Sequence, residues 1–213
     1  MSHVPFPAMK RPLVAILRGI RPDETMGIVD QLIEGGFTAI EIPLNSPDPF
    51  RSIEMAVRMA PPEVLIGAGT VLTTEAVDQL HEVSGRLMVT PNTDAEVLTR
   101  ARLRGMVTMP GVFTASEALL AAKCGASSLK FFPASVLGAS GITAIRAVLP
   151  ADLMIAAVGG VSDKNFADYV NAGIFAFGLG SSLYKPGMTA AEIKERAKVT
   201  IDAYDAAVQS VMS

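Results

Sequence analysis

The chain has 213 residues, half of them apolar and 18% charged, with 18 Gly and 14 Pro, which suits one globular domain and excludes a second large domain or a disordered or fibrous chain. Eighteen Lys and Arg against 21 Asp and Glu leave a net charge of -3, so the broad basic footprint of a nucleic-acid binder is missing, while local basic pockets for small anions remain open. One cysteine, Cys124, and two histidines, His3 and His81, exclude an intramolecular disulfide, a multi-cysteine metal site and most His-rich zinc sites, and point to an intracellular chain.

The elements can be read in chain order. The opening MSHVPFPAMKRPLVAIL has prolines and charges where a signal peptide needs a continuous apolar run, and no apolar run reaches the roughly 20 residues of a membrane span, so a cytoplasmic protein without a membrane partner is expected. Pro5, Pro7 and Pro12 leave no leading helix. LVAIL at 13–17 is the first strand, and Pro22-Asp23-Glu24 opens a helix that stops at Gly35-Gly36. AIEIPL at 39–44 and VLIGAG at 64–69 follow as strands, and Thr73-Thr74-Glu75 opens a helix ending at Gly85. LMVT at 87–90 leads to a helix from Thr93-Asp94 to near Gly105, and MVTM at 106–109 to one from Thr114-Ala115-Ser116-Glu117 to Gly125. SLKFF at 128–132, MIAAVG at 154–159 and IFAFGLG at 174–180 complete the strands, with a helix predicted from Ser162-Asp163 to Gly173 and an amphipathic one from Ala190 onward.

Eight strands begin about 23 residues apart, room for one helix and two short loops each. Mostly apolar strands with helical crossovers need both faces covered, and closing the sheet does this without edges. The predicted fold is therefore α/β, a (β/α)8 TIM barrel forming a single domain over residues 1–213, with an open doubly wound sheet as the alternative.

A barrel enzyme places its chemistry at the C-terminal ends of its strands. Those ends read Arg18-Gly19, Glu41 through Asn45, Gly69-Thr70, Thr90-Pro91-Asn92, Met109-Pro110-Gly111, Lys130 before Phe131, Gly159-Gly160 and Gly180-Ser181. Period-two alternation puts Leu129 and Phe131 on one face and Lys130 on the other, pointing inward, and turns Glu41 inward between Ile40 and Ile42. Burial disfavours an ammonium, and a nearby cation such as Arg18 lowers its pKa further, giving a free amine able to attack a ketone. A carboxylate beside that amine can shuttle protons without histidine. A snorkelling lysine or a buried structural ion pair is the competing account of the same two residues. Arg18 offers a fork for a carboxylate, with a surface strand-end arginine as the plain alternative. Gly159-Gly160 and Gly178-Leu179-Gly180-Ser181 fit the phosphate site that barrels build after strands seven and eight, tight turns being the competing account; the third glycine of a dinucleotide fingerprint is missing. Cys124, His81 and His3 read as non-catalytic, and Tyr184-Lys185-Pro186 as an exposed loop that could rim the pocket.

Taken together and in order, ILRGI, EIPLNSP, GAGTVL, TPN, LKFFPAS, AVGGV and GLGSSLY resemble the class I aldolases acting on 2-keto-3-deoxy-6-phospho sugar acids, over residues 13 to about 205. The resemblance implies that Lys130 is the Schiff-base lysine, Glu41 the proton-transferring acid/base, that Arg18 and Thr70 hold the keto-acid end and that Gly160, Gly180 and Ser181 hold the phosphate. Pro91 and Gly159 join them as substrate-binding residues. It further implies a homotrimer without metal or other cofactor, whose partners are a phosphorylated keto sugar acid, pyruvate and glyceraldehyde 3-phosphate. Gluconate-type sister enzymes tend to carry EITLRTP and a Thr before the Gly-Gly pair; here Asn45 and Val158 stand there, which points to a galactonate-configured substrate, with gluconate-type or dual specificity as the alternative. A phosphosugar isomerase without need of a buried amine, or a silent phosphosugar-binding barrel, are the two other classes this pattern admits.

Overall fold

The computed structural model describes residues 4–212; His3 lies outside them. The chain runs β1 (Leu13–Ile16), α1 (Pro22–Glu34), β2 (Ala39–Pro43), α2 (Pro49–Met59), β3 (Leu65–Gly69), α3 (Thr74–Glu82), β4 (Leu87–Val89), α4 (Ala95–Leu103), β5 (Val107–Met109) and β6 (Gly111–Val112). It continues through α5 (Ala115–Lys123), β7 (Ser128–Phe131), α6 (Ala134–Arg146), β8 (Met154–Val158), α7 (Phe166–Val170), β9 (Ala176–Leu179) and α8 (Ala190–Met212). All pairings are parallel, in the order β5-β4-β3-β2-β1-β9-β8-β7-β6. The expected barrel is thus present, but its fifth strand is two pieces. Pro110 has no N–H to donate, so the ladder breaks there: β5 pairs with β4, β6 pairs with β7, and the Pro110 carbonyl accepts the Lys130 N–H at 2.9 Å.

The strands are apolar on both faces because both are covered. Leu13, Ala15, Ile40, Ile42, Leu129 and Phe131 face the helices, while Val14, Ile16, Leu65, Leu87, Val89, Val107, Met109, Ala156 and Val158 fill the barrel interior. Val4, Phe6 and Met9 pack onto that inner cluster. The proline-rich lead segment therefore plugs the end of the barrel from which β1 starts, and Arg11 pins it to α8 through Asp205 at 2.7 and 2.6 Å. An aromatic cluster of Phe166, Tyr169, Phe177 and Tyr204 binds α7 and α8 to β9, with the Tyr204 hydroxyl donating to the Phe175 carbonyl at 3.0 Å.

The helix starts follow their caps. The Thr73 hydroxyl accepts the Ala76 N–H, Asp94 accepts those of Glu96 and Val97, and Thr114 with Glu117 forms a reciprocal capping box. Two boundaries differ from expectation. The left-handed residue after α3 is Ser84, at φ 61°; Gly85 is needed instead for space, since a Cβ there would lie 2.2 Å from Leu80 Cδ1. Ser162-Asp163 does not start a helix. The Asn165 carboxamide accepts the Ser162 N–H at 2.9 Å and donates to the Gly160 carbonyl at 2.9 Å, which folds 162–165 into a turn and delays α7 to Phe166. No described helix is long and apolar enough to cross a membrane.

Candidate active site

The C-terminal strand ends surround a cavity of about 620 Å³. Arg18, Glu41, Lys130, Gly159, Gly160, Gly180 and Ser181, all singled out in the sequence, line it. Thr70 and Pro91 stand at the ends of β3 and β4, across the barrel mouth from the glycine loops, and are not among its lining residues.

Glu41 and Lys130 both turn into the barrel, 2% and 6% exposed. Their register partners explain the room they have: Glu41 lies between Ile16 and Gly67, and Lys130 between Gly111 and Ala156, so each long side chain has a glycine on one side. Glu41 Oε2 is buried with no hydrogen-bond partner among the described residues. Burial pushes the Glu41 carboxyl up to about 7, against the pull of the Lys130 and Arg18 charges. Burial likewise holds the Lys130 ammonium below its usual range; the Glu41 charge opposes this and Arg18 reinforces it. The two groups sense one another through space without a direct hydrogen bond among the described residues, and burial weighs against the charged form of each. A structural ion pair would instead show close contact and matched charges. Lys130 Nζ sits 4.9 Å from the centroid of the Phe132 ring, so its approach to the cavity has one apolar wall.

Arg18 is exposed at the mouth. Its Nη1 donates to Asn45 Oδ1 at 2.8 Å, and the Gly19 N–H next to it donates to Ser46 Oγ at 2.9 Å, so the β1 and β2 loops brace each other and aim the guanidinium. Asn45, read from the sequence as a marker of substrate configuration, is thus the hydrogen-bond partner of Arg18.

The two glycine loops differ in kind. Gly159 and Gly160 have φ of 90° and 79°, and a Cβ on Gly160 would lie 2.5 Å from Ser135 Cβ, so the turn itself requires glycine. Gly180 does not have a left-handed backbone, and beyond its chain neighbours no atom of the described residues lies within 4 Å of where its Cβ would be. Its missing side chain leaves the cavity open. The Leu183 and Tyr184 N–H groups both donate to the Gly180 carbonyl, which turns the chain just after β9. The N–H groups of Gly160, Ser181 and Ser182 have no acceptor among the described residues, leaving three unpaired donors on residues that line the cavity, the kind of group an anion site uses.

Sequence reasoning passed over Ser162 and Ser182, which also line the cavity, and offered Lys185 only as part of an exposed loop that could rim the pocket; Lys185 lines the cavity as well. The Tyr184-Lys185-Pro186 loop is not simply exposed. Tyr184 is 3% exposed, Pro186 Cγ lies 2.8 Å from where a Gly19 Cβ would be, and Lys185 between them lines the cavity wall. Cys124 caps α5, packed against the outer core, and His81 lies exposed in the last turn of α3; neither lines the cavity. Among the described residues no group of three or more His, Cys, Asp or Glu side chains could hold a metal ion.

A family model described as KDPG and KHG aldolase matches residues 8–206. A Rhizobium meliloti protein named probable 2-dehydro-3-deoxy-6-phosphogalactonate aldolase is 68% identical over 206 residues, 97% of each chain. An Escherichia coli K12 protein named 2-dehydro-3-deoxy-6-phosphogalactonate aldolase is 47% identical over 200 residues, covering 94% of this chain and 98% of that one. A solved structure titled "Native KDPGal structure" superposes with a TM-score of 0.93 at 46% identity, over 95% of this chain and 98% of that one.

Proposed function

This chain belongs to the KDPG and KHG aldolase family, and on that footing we propose that it is a class I aldolase cleaving 2-dehydro-3-deoxy-6-phospho-D-galactonate to pyruvate and D-glyceraldehyde 3-phosphate. The observation that carries the chemistry is the burial of Lys130 and Glu41 in one cavity that favours the neutral amine of the first and raises the carboxyl of the second to about 7.

The amine of Lys130 adds to the C2 ketone. Protonated Glu41 gives its proton to the departing hydroxyl as the carbinolamine loses water, and the resulting iminium becomes the electron sink for the C3–C4 bond. The Glu41 carboxylate, now ionised, takes the C4 hydroxyl proton. The C3–C4 electrons move into the enamine and glyceraldehyde 3-phosphate leaves with its new carbonyl. Glu41 returns the proton to C3, and water releases pyruvate and restores the amine. A carboxyl with a pKa near 7 suits both directions of transfer at neutral pH. Arg18 receives the substrate carboxylate, and Thr70 and Pro91 close the keto-acid side of the mouth. Gly159, Gly160, Gly180 and Ser181 receive the phosphate on free N–H groups. The family names of the close relatives support the galactonate configuration, as does the apolar wall that Val158 presents to the cavity.

The resemblance to the family also supports a cytoplasmic homotrimer, and the exposed Leu119, Leu120 and Val136 side chains offer apolar surface for such an assembly. The test of the chemistry is incubation with pyruvate and borohydride followed by peptide mapping. A reduced pyruvyl adduct confined to Lys130 is expected, and an unmodified folded protein would defeat the Schiff-base reading.

A further inference from the structure

On the aldolase reading, on which the role of Lys185 rests, the substrate is anionic at both ends. Four charged side chains line the cavity: Arg18, Glu41, Lys130 and Lys185. Burial keeps Lys130 toward the free amine, and imine formation then occupies it. Arg18 is held by Asn45 on the β1–β2 side, where a planar fork matches a carboxylate. The phosphate carries a charge of about -1.5 to -2 at neutral pH. The N–H groups of Gly160, Ser181 and Ser182 can solvate it but bring no net charge.

We infer that Lys185 is the cation that neutralises the substrate's phosphate. It is the lining cation carried by the loop after β9, the same loop that presents Ser181 and Ser182. That loop is anchored on both sides of it: Leu183 and Tyr184 are buried, Pro186 lies over Gly19, and the Lys185 N–H donates to Met188 Sδ at 3.2 Å. The backbone is held while the side chain stays exposed and free of any ion pair among the described residues. The two neighbouring cations are excluded by their own surroundings. Arg196 is held by Asp163 at 3.1 Å and by the Ser182 carbonyl, and Lys164 lines only the adjoining outer groove of about 500 Å³. Lys185 lines both spaces, and so stands where the phosphate end of a six-carbon chain starting at Lys130 leaves the cavity. As a compact point charge, an ammonium suits a phosphate that already has backbone donors around it.

The test is calorimetric titration of glycerol 3-phosphate into the wild-type protein and into K185Q, K185R and, as a surface-charge control, K164Q. K185Q is expected to weaken binding about ten- to hundredfold, the range of a charge-assisted hydrogen bond, with K185R retaining most of the affinity and K164Q staying within about twofold. In turnover, K185Q should raise KM for the phosphorylated substrate much more than it lowers kcat. Equal affinity of K185Q and wild type, K185R as weak as K185Q, or no binding by the wild type would each overturn the assignment. Its failure is distinguishable from that of the aldolase reading: phosphate binding that depends on Lys185 with no pyruvyl adduct on Lys130 would leave Lys185 standing and remove the aldolase, and an adduct with Lys185-independent binding would do the reverse.

Discussion

Gly69 and Glu41 occupy one another's space: a Cβ built on Gly69 would lie 1.8 Å from Glu41 Oε2 and 2.4 Å from its Cδ. Gly69 does not have a left-handed backbone, so it is glycine for the room it leaves above the register-paired strand β2. The obstacle is the end of a flexible side chain, so Gly69→Ala should fold with its carboxylate displaced. We expect kcat to drop about 100- to 10,000-fold, the contribution of positioned acid–base catalysis, with the circular dichroism spectrum unchanged. A variant with wild-type kcat would mean that Glu41 is not held there for proton transfer.

The raised carboxyl has a consequence for stability. Glu41 moves from an ordinary 4.5 to about 7 on folding, so between those values the folded chain binds a proton that the unfolded chain does not. Its stabilising contribution is complete below about pH 4.5 and is lost as pH rises through about 7. Glu41→Gln, which mimics the neutral form, should match the wild type near pH 4.5 and exceed it by about 3 kcal/mol at pH 8. Urea melts at both pH values provide the measurement; a variant less stable than wild type at pH 8 would show that Glu41 is an ion-paired carboxylate.

Asn45 supports Arg18 through one exposed 2.8 Å hydrogen bond. Asn45→Ala should raise KM about two- to tenfold, the value of such a bond, with kcat nearly unchanged. An equal fall in kcat would place Asn45 in the chemical step.

Val158 lines the cavity next to Gly159, and its Cγ2 lies 2.7 Å from where a Gly178 Cβ would be. Val158→Thr keeps this shape and adds a hydroxyl to the wall. The ratio of kcat/KM for the gluconate- and galactonate-configured substrates should move about tenfold toward gluconate. An unchanged ratio would remove Val158 from the discrimination.

Phe6 is half-buried against the inner cluster at the end of the barrel opposite the cavity. Phe6→Ala should cost about 1–3 kcal/mol in thermal or urea unfolding, less than a fully buried Phe, and leave kcat at its wild-type value. A catalytic defect without lost stability would mean that the plug communicates with the site.

Much of this molecule was legible in the chain because its rules are local. The spacing of apolar runs, the Thr73, Asp94 and Thr114 caps and the glycine stops depend on neighbours within a few residues, and period-two alternation alone sends Glu41 and Lys130 inward. The helix expected at Ser162 failed because a side chain three residues on, Asn165, captured its N–H and made a turn. The split of the fifth strand was half-visible in Pro110, but only the partner strands reveal that the ladder changes sides there.

By itself, then, the sequence determined the repeating strand-helix order, the barrel it implies and the identities of the two ionisable residues inside it, since these follow from dihedral preference and side-chain alternation. Closure of the barrel decided the rest. It set Gly69 against Glu41, the lead segment against the inner core and Lys185 beside the glycine loops, and it removed the water that would have kept Glu41 and Lys130 at their ordinary pKa values. Burial and excluded volume belong to residues that meet only across the folded chain, and no local pattern encodes them.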